Sequence, residues 1–564
     1  MSQRYLITSA LPYINGVKHI GNLIGSMLPA DVYARYLRQE GHEVLFICGT
    51  DEHGAPAELA AQDANEPVAE YCQKMFEVQK KCYEGFCISF DYFGRTSAPS
   101  NHKLSADIFD SLYERGFIEE KCISQYYSPV DGRFLPDRYV EGTCPHCGFE
   151  KARGDQCDGC GRLLDPEELI RPYSVLSKSY DIFLKQTQHY FLNLPKLEDS
   201  ITEWVDTQNG WSDIVRGVAQ KWIKDGLQAR CITRDLNWGI ELPEKYQKGD
   251  TRKVFYVWFD APNGYISITQ DWAAGERAKW ERWWKPEKFD DVFYVQFMAK
   301  DNLPFHTVFW PAMLIGAGMD VKKPDDIKGM SWLTYEKGKF STSQKRGVFL
   351  DEALSFFPAD YWRYYLLANC PEANDSDFTF ESFAATVNKD LIGVLGNFVN
   401  RTFTVFRKSF NSEIPHMVED KELQEKCERV LCEISELLAS RKFRQATQKL
   451  RALWVLGNEY ITEKTPWVAQ PSSGPAIAQC LNLMRVFAIA SAPFIPQVAQ
   501  RIAALLNISW EEICEAPIAG CFSNAMLAEG SVLPHDTDTV LFNKIEDDVV
   551  DALTQQYSGN NAAQ

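Results

Sequence analysis

The chain opens with two apolar segments separated by a helix-forming stretch, and this pattern constrains the fold more than any other feature. Residues 5–10 (Tyr-Leu-Ile-Thr-Ser-Ala) and 44–48 (Val-Leu-Phe-Ile-Cys) have the composition of buried strands, while residues 21–39 are rich in helix formers. Parallel strands need a long crossover, which a helix usually supplies. The pattern therefore predicts a βαβ unit that opens an α/β fold with a Rossmann-like, doubly wound parallel sheet.

The rest of the chain predicts an interruption of that sheet and a helical end. A further apolar segment at residues 292–297 is expected to join the same sheet, so that residues 116–232 form an insertion. From about residue 383 onward, apolar residues recur every three or four positions, as on one face of a helix. The clearest such face comprises Leu423, Cys427, Val430, Leu431, Ile434, Leu437 and Leu438. We expect a helical bundle there, with residues 471–475 as a loop between helices.

Length and charge limit the classes of protein to which the chain can belong. With 564 residues it is too long for one hydrophobic core, so several domains are expected. A formal net charge of -18 argues against a protein that binds nucleic acids non-specifically, because such proteins need positive charge to displace counterions from phosphates. No window is apolar over a membrane-spanning length. We expect a cytoplasmic protein without a membrane partner.

Four of the sixteen cysteines form two CxxC pairs inside the predicted insertion. Nine residues separate Cys144 and Cys147 from Cys157 and Cys160, and nearby glycines allow tight turns. Four thiolates can close a tetrahedral zinc site and leave no position open for water. The spacing predicts a structural Zn2+ knuckle, with a redox role as the alternative. The other cysteines are expected to be reduced thiols.

Two short motifs indicate a nucleotide site. The first, at residues 19–22 (His-Ile-Gly-Asn), lies where a strand gives way to a helix, and small residues there let backbone amides approach a phosphate. The second, at residues 339–343 (Lys-Phe-Ser-Thr-Ser), lies in a stretch rich in glycine, lysine and serine that suits a loop closing over a triphosphate. Taken alone, the first motif is more typical of an ordinary strand-to-helix turn, and the second also fits a solvated basic loop.

In this order, the two motifs resemble the paired signatures of class I aminoacyl-tRNA synthetases, His-Ile-Gly-His and Lys-Met-Ser-Lys-Ser. Asn22 stands where the family has its second histidine, and Thr342 where it has its second lysine. An amide still donates a hydrogen bond, whereas threonine supplies no positive charge. We hypothesise that Lys345 or Arg346 supplies the missing cation. The resemblance implies an ATP-binding loop that comprises Lys339, Phe340, Ser341, Thr342 and Ser343.

Four further segments, at residues 10–16, 49–54, 255–265 and 300–306, closely resemble the methionyl-tRNA synthetases, and the likeness spans nearly the whole chain. By that resemblance, Asp51 and the backbone of Leu11 hold the ammonium group of L-methionine. A thioether is polarizable and suits aromatic walls, and a buried ammonium needs a carboxylate. The other residues that the resemblance places at methionine are Tyr13, Trp258, Ala261, Pro262, Tyr265, Asn302 and His306. The alternative for any single aromatic is a place in the core.

The resemblance implies an ATP-dependent ligase that converts methionine to methionyl-adenylate and transfers it to the 3′ end of tRNA(Met). Such a reaction needs no protein nucleophile, because positioning and donors aimed at the phosphates suffice, with Mg2+ on the triphosphate. The residues implied to take part are His19, Gly21, Asn22, Arg234, Asp301, Lys339 and Lys345.

The helical part carries residues that match the family's anticodon readers. Asn397 and Arg401 lie four residues apart and therefore share one helix face. By the resemblance they read the CAU anticodon of tRNA(Met) together with Pro466 and Trp467, through hydrogen bonds to base edges and stacking. The alternatives are a polar contact within the bundle for Asn397 and Arg401, and core packing for Trp467.

The resemblance also assigns a role to each part of the chain. We expect a Rossmann-type catalytic domain at residues 1–115 and 233–322, interrupted at residues 116–232 by an inserted connective-peptide domain with the zinc knuckle. A stem-contact region with the ATP loop is expected at residues 323–382, a helical anticodon-binding domain at residues 383–540, and a C-terminal tail at residues 541–564. We expect a monomer, because the chain has no appended domain of the sort that dimerises some relatives.

Other activities fit the sequence less well. Synthetases for isoleucine, valine or leucine normally carry a large editing domain in the sheet insertion, and an insertion of this length with a zinc knuckle leaves little room for one. A cysteine-specific synthetase would use an open zinc site to hold the substrate thiolate. From another class, a catalytically silent paralogue that binds tRNA is suggested by Asn22 and Thr342, although Asp51, Trp258 and Lys339 are retained.

Overall fold

The computed structural model describes residues 3–154, 157, 159–160, 162, 164–248, 251–340, 346–468, 470–524, 527–534 and 538–557. Four residues that the sequence places in or beside the ATP loop, Ser341, Thr342, Ser343 and Lys345, lie outside the described residues. The predictions made for them are therefore not tested by the fold.

A parallel sheet forms the centre of the first part of the chain. Within the described residues it has five strands, in the order Asp326–Met330, Val292–Ala299, Arg4–Ser9, Glu43–Thr50 and Tyr92–Arg95. Every neighbouring pair is parallel. The direction of winding reverses at the first strand, and the loops that leave the carboxyl ends on either side of such a switch point enclose a crevice. The predicted Rossmann-like fold is confirmed.

Helices cover both faces of this sheet. The helical segments of this part are Ile20–Asn22, the π-helical Leu23–Met27, Leu28–Gln39, Ala55–Asp63, Val68–Gly85, Pro99–Glu114, Val257–Asp260, Ala261–Asn263, Gly264–Trp272, Arg277–Trp284, Phe289–Asp291, Lys300–Asn302, the π-helical Phe305–Phe309 and Trp310–Gly316. The segments from Ile20 to Gln39 are consecutive and form the predicted first crossover. Its buried apolar residues, such as Leu23 and Ile24, share a core with Phe46 of the second strand.

The segment between the third and fourth parallel strands contains two small antiparallel sheets. One comprises Ile118–Ser128, Arg133–Phe134, Phe183–Leu192 and Arg230–Cys231, and the other comprises Val140–Thr143, Ala152–Arg153 and Ile170–Ser174. Short 3-10 turns occur at Asp137–Tyr139, Pro166–Glu168, Leu194–Leu197 and Glu244–Tyr246. Beyond the insertion, the short strands Thr233–Arg234 and Val254–Phe255 pair with each other. The predicted insertion into the parallel sheet is confirmed.

Two helices of the predicted insertion belong to the core of the parallel sheet. The helices Glu198–Thr207 and Asp213–Lys224 contribute Ile201 and Val215 to the cluster that contains Met298 of the fourth parallel strand. Of the two antiparallel sheets, the one with Val140 forms a separate cluster with Tyr139 and Leu164, whereas Ile118 and Leu192 of the other belong to the core of the parallel sheet. These two helices thus pack with the parallel sheet although they precede residue 232. The boundary at that residue stays a prediction.

The remainder of the chain is almost entirely helical. After the parallel strand pair Leu333–Tyr335 and Ser376–Phe378, no strand occurs among the described residues. The helices are Leu350–Phe356, Ala359–Ala368, Phe380–Thr386, the π-helical Val387–Gly396, Asn397–Phe410, Lys421–Ala439, Phe443–Lys464, Ser473–Ser491, Pro496–Leu505, Trp510–Glu515, Cys521–Asn524 and Asp547–Tyr557. The predicted helical bundle is confirmed.

The sequence pattern predicted one helix face of this bundle and misplaced one loop. Leu423, Leu431 and Leu438 are buried as expected, with Val430 and Leu437 half-buried at the edge of the face. The predicted loop at residues 471–475 is shorter than expected, because the next helix already begins at Ser473. Proline is tolerated in a first helical turn, where the backbone amides have no partner within the helix.

One buried arginine joins the sheet, the stem region and the bundle. Arg363 on helix Ala359–Ala368 is fully buried and donates to the carboxylate of Asp31 at 2.7 Å. It also donates to the backbone carbonyls of Phe86, Pro493 and Phe494, at 3.0, 2.9 and 2.8 Å. These contacts hold the helical bundle in a fixed place against the parallel sheet.

Within the described part of the chain, no helix has both the length and the apolar character that crossing a bilayer requires.

Candidate active site

The two nucleotide motifs lie against each other at the switch point of the sheet. The imidazole of His19 stacks on the ring of Phe340, with ring centroids 4.6 Å apart and planes inclined by 18°. Gly21 makes this stack possible, because a Cβ atom there would lie 3.0 Å from His19 Nδ1 and 3.3 Å from Phe340 Cδ2. Backbone pairing of His19 with Phe349 fixes the same junction. The fold thus brings His19, Gly21 and Phe340 together.

His19 and Asn22 cap the helix that begins between them. The backbone N–H of Asn22 donates to His19 Nδ1 at 3.3 Å, and the backbone N–H of His19 donates to Asn22 Oδ1 at 3.2 Å. Burial, with a smaller contribution from Lys18, lowers the pKa of His19 to about 3. Because Nδ1 accepts a hydrogen bond, the neutral ring carries its proton on Nε2. His19 can therefore donate to a phosphate without being charged.

Asp51 lies next to the segment that leaves the first strand. Its backbone forms a parallel bridge with Tyr13, donating to the carbonyl of Pro12 at 2.8 Å and accepting from Ile14 at 2.9 Å. The carboxylate is buried, and its Oδ1 atom has no hydrogen-bond partner among the described residues. Burial and the nearby carboxylate of Asp260 raise the pKa of Asp51 well above its usual value. A bound ammonium would relieve the cost of this arrangement.

Ionisable groups around Asp51 are held in place by buried contacts. His53 Nδ1 lies 2.6 Å from Asp260 Oδ2. Glu52, the residue after Asp51, accepts from Arg95 Nη2 at 2.8 Å. Burial lowers the pKa of Lys18 to about 7, against the opposing effect of Asp51. Asp260 and Glu52 thus add negative potential at Asp51, and His53 and Arg95 hold these two carboxylates in place.

Aromatic residues cluster beside Asp51, and this cluster is the candidate methionine pocket. Trp258 and Phe305 are in ring contact, with centroids 4.0 Å apart. Tyr13 and Trp258 are 40% and 37% exposed, so neither is an ordinary core residue. Tyr265 and Pro262 are buried. Ala261 is half-buried at the start of the same 3-10 turn, and Leu11 is half-buried with its side chain against Gly264.

Tyr265 and His306 of this pocket form a hydrogen bond whose donor and acceptor can be assigned. His306 Nδ1 lies 3.0 Å from the carbonyl of Asn302 and must donate to it. His306 Nε2 is then an acceptor, and the hydroxyl of Tyr265 donates to it across 3.0 Å. Burial lowers the pKa of His306 to about 4, so the ring is neutral. Since both groups are satisfied by each other, the pocket can take an apolar side chain without leaving a polar group unpaired.

The remaining residues implied in catalysis surround the pocket. The guanidinium of Arg234 stacks on Tyr256 at 3.8 Å from the ring centroid, and Tyr256 in turn contacts Trp258. Asp301 lies at the carboxyl end of the fourth parallel strand and is exposed. The sequence motifs did not reveal the arginine–aromatic stack, because it joins residues on separate strands and helices.

Lys339 and Arg346 are held in different ways. The ammonium of Lys339 lies 4.7 Å from the centroid of the Trp332 ring. Arg346 Nη2 donates to the carbonyl of Tyr335 at 3.0 Å, so this guanidinium holds the base of the loop. Of the two cations that could replace the missing motif lysine, Arg346 is thus already engaged by the backbone, and Lys345 is outside the described residues.

The four paired cysteines come together as a cluster. Their sulfur atoms all lie within 4.8 Å of one another. Cys144 and Cys160 are separated by 3.9 Å, and Cys147 and Cys157 by 3.6 Å. Tetrahedral zinc with Zn–S bonds of about 2.3 Å requires sulfur separations of about 3.8 Å. The donor set and its spacing therefore fit a Zn2+ ion bound by four thiolates.

Three of the residues proposed to read the anticodon, Asn397, Arg401 and Trp467, lie at the surface of the bundle. Arg401 lies on helix Asn397–Phe410 with its guanidinium 5.2 Å from the ring centroid of Trp467, which is 46% exposed. Arg401 also donates to Thr462 at 3.3 Å, and Asn397 donates to Asn458 at 3.4 Å. Pro466 is buried at the end of the neighbouring helix. Since Trp467 is exposed, it is not a core residue.

Comparison with known proteins identifies the family. The family model described as "tRNA synthetases class I (M)" matches residues 5–403, and that described as "Anticodon binding domain of methionyl tRNA ligase" matches residues 415–562. The chain belongs to the class I methionyl-tRNA synthetase family. Among its relatives are methionine–tRNA ligase 1 of Acaryochloris marina, 51% identical over 99% of this chain and 100% of the relative, and the methionine–tRNA ligase of Streptomyces avermitilis, 47% identical over 99% of both.

A solved structure of the same family has the same fold. Mycobacterium tuberculosis methionyl-tRNA synthetase, in complex with methionyl-adenylate, superposes with a TM-score of 0.76 and covers 96% of this chain and 100% of its own. It is 23% identical to this chain, so the likeness concerns the arrangement of the parallel sheet, the insertion and the helical bundle.

Proposed function

We propose that the chain is a methionine–tRNA ligase, which activates L-methionine with ATP and transfers it to the 3′ end of tRNA(Met). The observation that carries this proposal is the place of Asp51: a buried carboxylate with an unpartnered oxygen lies near aromatic residues and near Lys18, which directly precedes the helix-capping His19. An α-amino acid with an apolar side chain and a nucleotide phosphate would meet there. Family membership and the full-length relatives favour this activity over a silent paralogue.

Methionine would be bound by its two ends. Asp51 would receive the ammonium, together with the backbone of Leu11, and the thioether would lie among Tyr13, Trp258 and the Tyr265–His306 pair. Sulfur is polarizable and packs well against aromatic rings. The neutral His306 offers no charge to the side chain, which favours a thioether over a charged substrate.

The first step would join the methionine carboxylate to the α-phosphorus of ATP. The carboxylate oxygen attacks, the bond to the bridging oxygen breaks, and pyrophosphate leaves with its electrons. His19 Nε2–H and the amide of Gly21 would donate to the phosphates, with Lys339 on the triphosphate. Mg2+ bound to ATP would neutralise part of the charge. In the second step a ribose hydroxyl of the tRNA end attacks the carbonyl of the adenylate, and AMP leaves.

The proposed zinc ion would hold the knuckle together. Replacing Cys157 with serine is expected to lower the zinc content of the purified protein from about one ion per chain to nearly none, because a hydroxyl binds Zn2+ far more weakly than a thiolate. Inductively coupled plasma mass spectrometry measures this, and Cys122→Ser, at an exposed cysteine on a nearby strand, is the control. Full zinc content in Cys157→Ser would contradict the assignment.

Trp467 would stack on an anticodon base. Replacing it with alanine is expected to raise KM for tRNA(Met) about 10- to 100-fold, since stacking on a single base contributes about 1–3 kcal/mol. Methionine-dependent exchange of pyrophosphate into ATP should stay unchanged, because no tRNA takes part in it. Phe289→Ala, at another exposed ring, is the control for loss of an exposed aromatic. An unchanged KM for tRNA would remove Trp467 from the interface.

The activation step can be tested alone. ATP–pyrophosphate exchange, measured with each of the twenty amino acids, should depend on methionine. No exchange with any of them would favour the silent tRNA-binding paralogue. Exchange with a different amino acid would contradict the assignment of the pocket to methionine.

A further inference from the structure

Two lysines lie over one indole ring at the carboxyl edge of the sheet. The ammonium of Lys300 lies 4.1 Å from the centroid of Trp332, and that of Lys339 lies 4.7 Å from it. Lys300 directly follows the fourth parallel strand, whereas Lys339 belongs to the ATP loop. The sequence motifs include Lys339 but assign no part to Lys300 or Trp332.

Trp332 is fixed in place by its own polar contacts. Its backbone N–H donates to Asp375 Oδ1 at 2.9 Å, and its indole Nε1 lies 3.5 Å from Asp301 Oδ1. Trp332 is half-buried and directly precedes the short strand Leu333–Tyr335. It therefore gives both lysines a surface of fixed position next to Asp301.

The contacts of Lys300 hold it loosely. Its ammonium pairs with Asp375 at 2.7 Å, but the two side chains are 33% and 42% exposed. Ion pairs this exposed are weak and screened by salt, and a cation over a partly exposed ring is held only modestly. A triphosphate offers stronger, charge-assisted hydrogen bonds to both ammonium groups. When ATP binds, the ammonium groups of both lysines can therefore leave the ring of Trp332 and bind phosphate oxygens instead.

We infer that Trp332 is a positioning residue that holds Lys300 and Lys339 side by side, and that Lys300 is a second triphosphate-binding cation. This inference rests on the proposed function. It gives a role to a cation on the rigid edge of the sheet in a chain whose ATP loop carries Thr342 in place of a lysine. A lysine that follows a strand needs less ordering than one in a loop, because its backbone is already fixed.

The inference is tested by steady-state ATP–pyrophosphate exchange with methionine. Trp332→Leu is expected to raise KM for ATP about 5- to 20-fold, with KM for methionine unchanged. Trp332→Phe keeps a ring but loses the indole N–H, and it should restore KM for ATP to within about 3-fold of the unmodified chain. Lys300→Met should lower kcat/KM for ATP at least about 10-fold, and Lys300→Arg should recover part of this loss.

Controls separate this inference from the proposed function and from damage to the fold. Lys279→Met removes another lysine that lies over an indole, 4.5 Å from the Trp272 centroid, and should change neither KM. If the unmodified chain shows no methionine-dependent exchange, the proposed function fails. If it does, and Lys300→Met keeps the ATP kinetics of the unmodified chain or Trp332→Phe is as impaired as Trp332→Leu, the inference is overturned. Thermal midpoints equal to that of the unmodified chain exclude misfolding as the cause.

Discussion

Replacing Asp51 with asparagine is expected to lower kcat/KM for methionine by about 100- to 1,000-fold while KM for ATP changes little. The reason is that the carboxylate is buried with Oδ1 unpartnered, so it is free to pair with the ammonium of the substrate. An amide keeps the shape but supplies no charge. Pyrophosphate exchange at varied methionine concentration measures the effect.

The pH dependence of the same variant provides a second readout. The pKa of Asp51 is raised well above its usual value by burial and by Asp260. The carboxylate binds ammonium only when ionised, so KM for methionine should rise as the pH falls through this raised pKa. In Asp51→Asn that acid limb should disappear. Asp107→Asn, at an exposed carboxylate paired with Lys103, is the control and should keep the full profile. A methionine KM that is unaltered in Asp51→Asn would contradict the assignment of the ammonium site.

The second large effect concerns stability. Replacing Arg363 with methionine is expected to destabilise the chain by about 2–4 kcal/mol, because three buried backbone carbonyls lose their shared donor and the buried carboxylate of Asp31 keeps only Arg35 as a cationic partner. The midpoint of thermal or urea unfolding measures this. Arg277→Met breaks a 2.8 Å ion pair with Glu281 in which the arginine is 79% exposed, and it should cost less than about 1 kcal/mol. Equal midpoints for the two variants would contradict the structural role of Arg363.

Lowering the pH is expected to remove the stabilisation of the folded state that the ionised carboxylate of Asp31 provides. Burial alone would raise the pKa of Asp31, but Arg35, Arg363 and hydrogen bonds from Ser89 hold it at about 2, below the usual value of 3.8. A carboxylate whose pKa is lower in the folded state stabilises that state fully above its unfolded pKa. Its contribution is therefore present above about pH 4 and is lost as the pH falls towards 2.

The sequence predicted those parts of the fold whose signals are local. The first two parallel strands, their helical crossover and the helix face around Leu431 follow from periodicity alone. Strand Asp326–Met330 has charged residues at two of its five positions, so its pattern does not indicate a buried strand. The helix with Val215 lies inside the predicted insertion and packs in the core of the parallel sheet, a contact that its own sequence does not indicate.

The candidate site shows the same division. The motifs predict roles for His19, Asp51 and Lys339 from residue type and order along the chain, and these roles stay predictions. They did not identify Trp332 or Lys300, because a cation over an indole depends on tertiary contacts between distant segments. The effect of Asp260 on Asp51 was also missed, since two carboxylates that lie far apart in sequence become neighbours only in the fold.

Charging of tRNA by the unmodified chain tests the proposed ligase activity and the anticodon-binding surface together. Radioactive methionine, ATP and magnesium are incubated with tRNA(Met) transcripts that carry either the CAU anticodon or a substituted one, and label in the tRNA is counted. We expect rapid charging of the CAU transcript and charging of the substituted transcript that is slower by orders of magnitude. Failure to charge either transcript, or equal charging of both, would contradict this expectation.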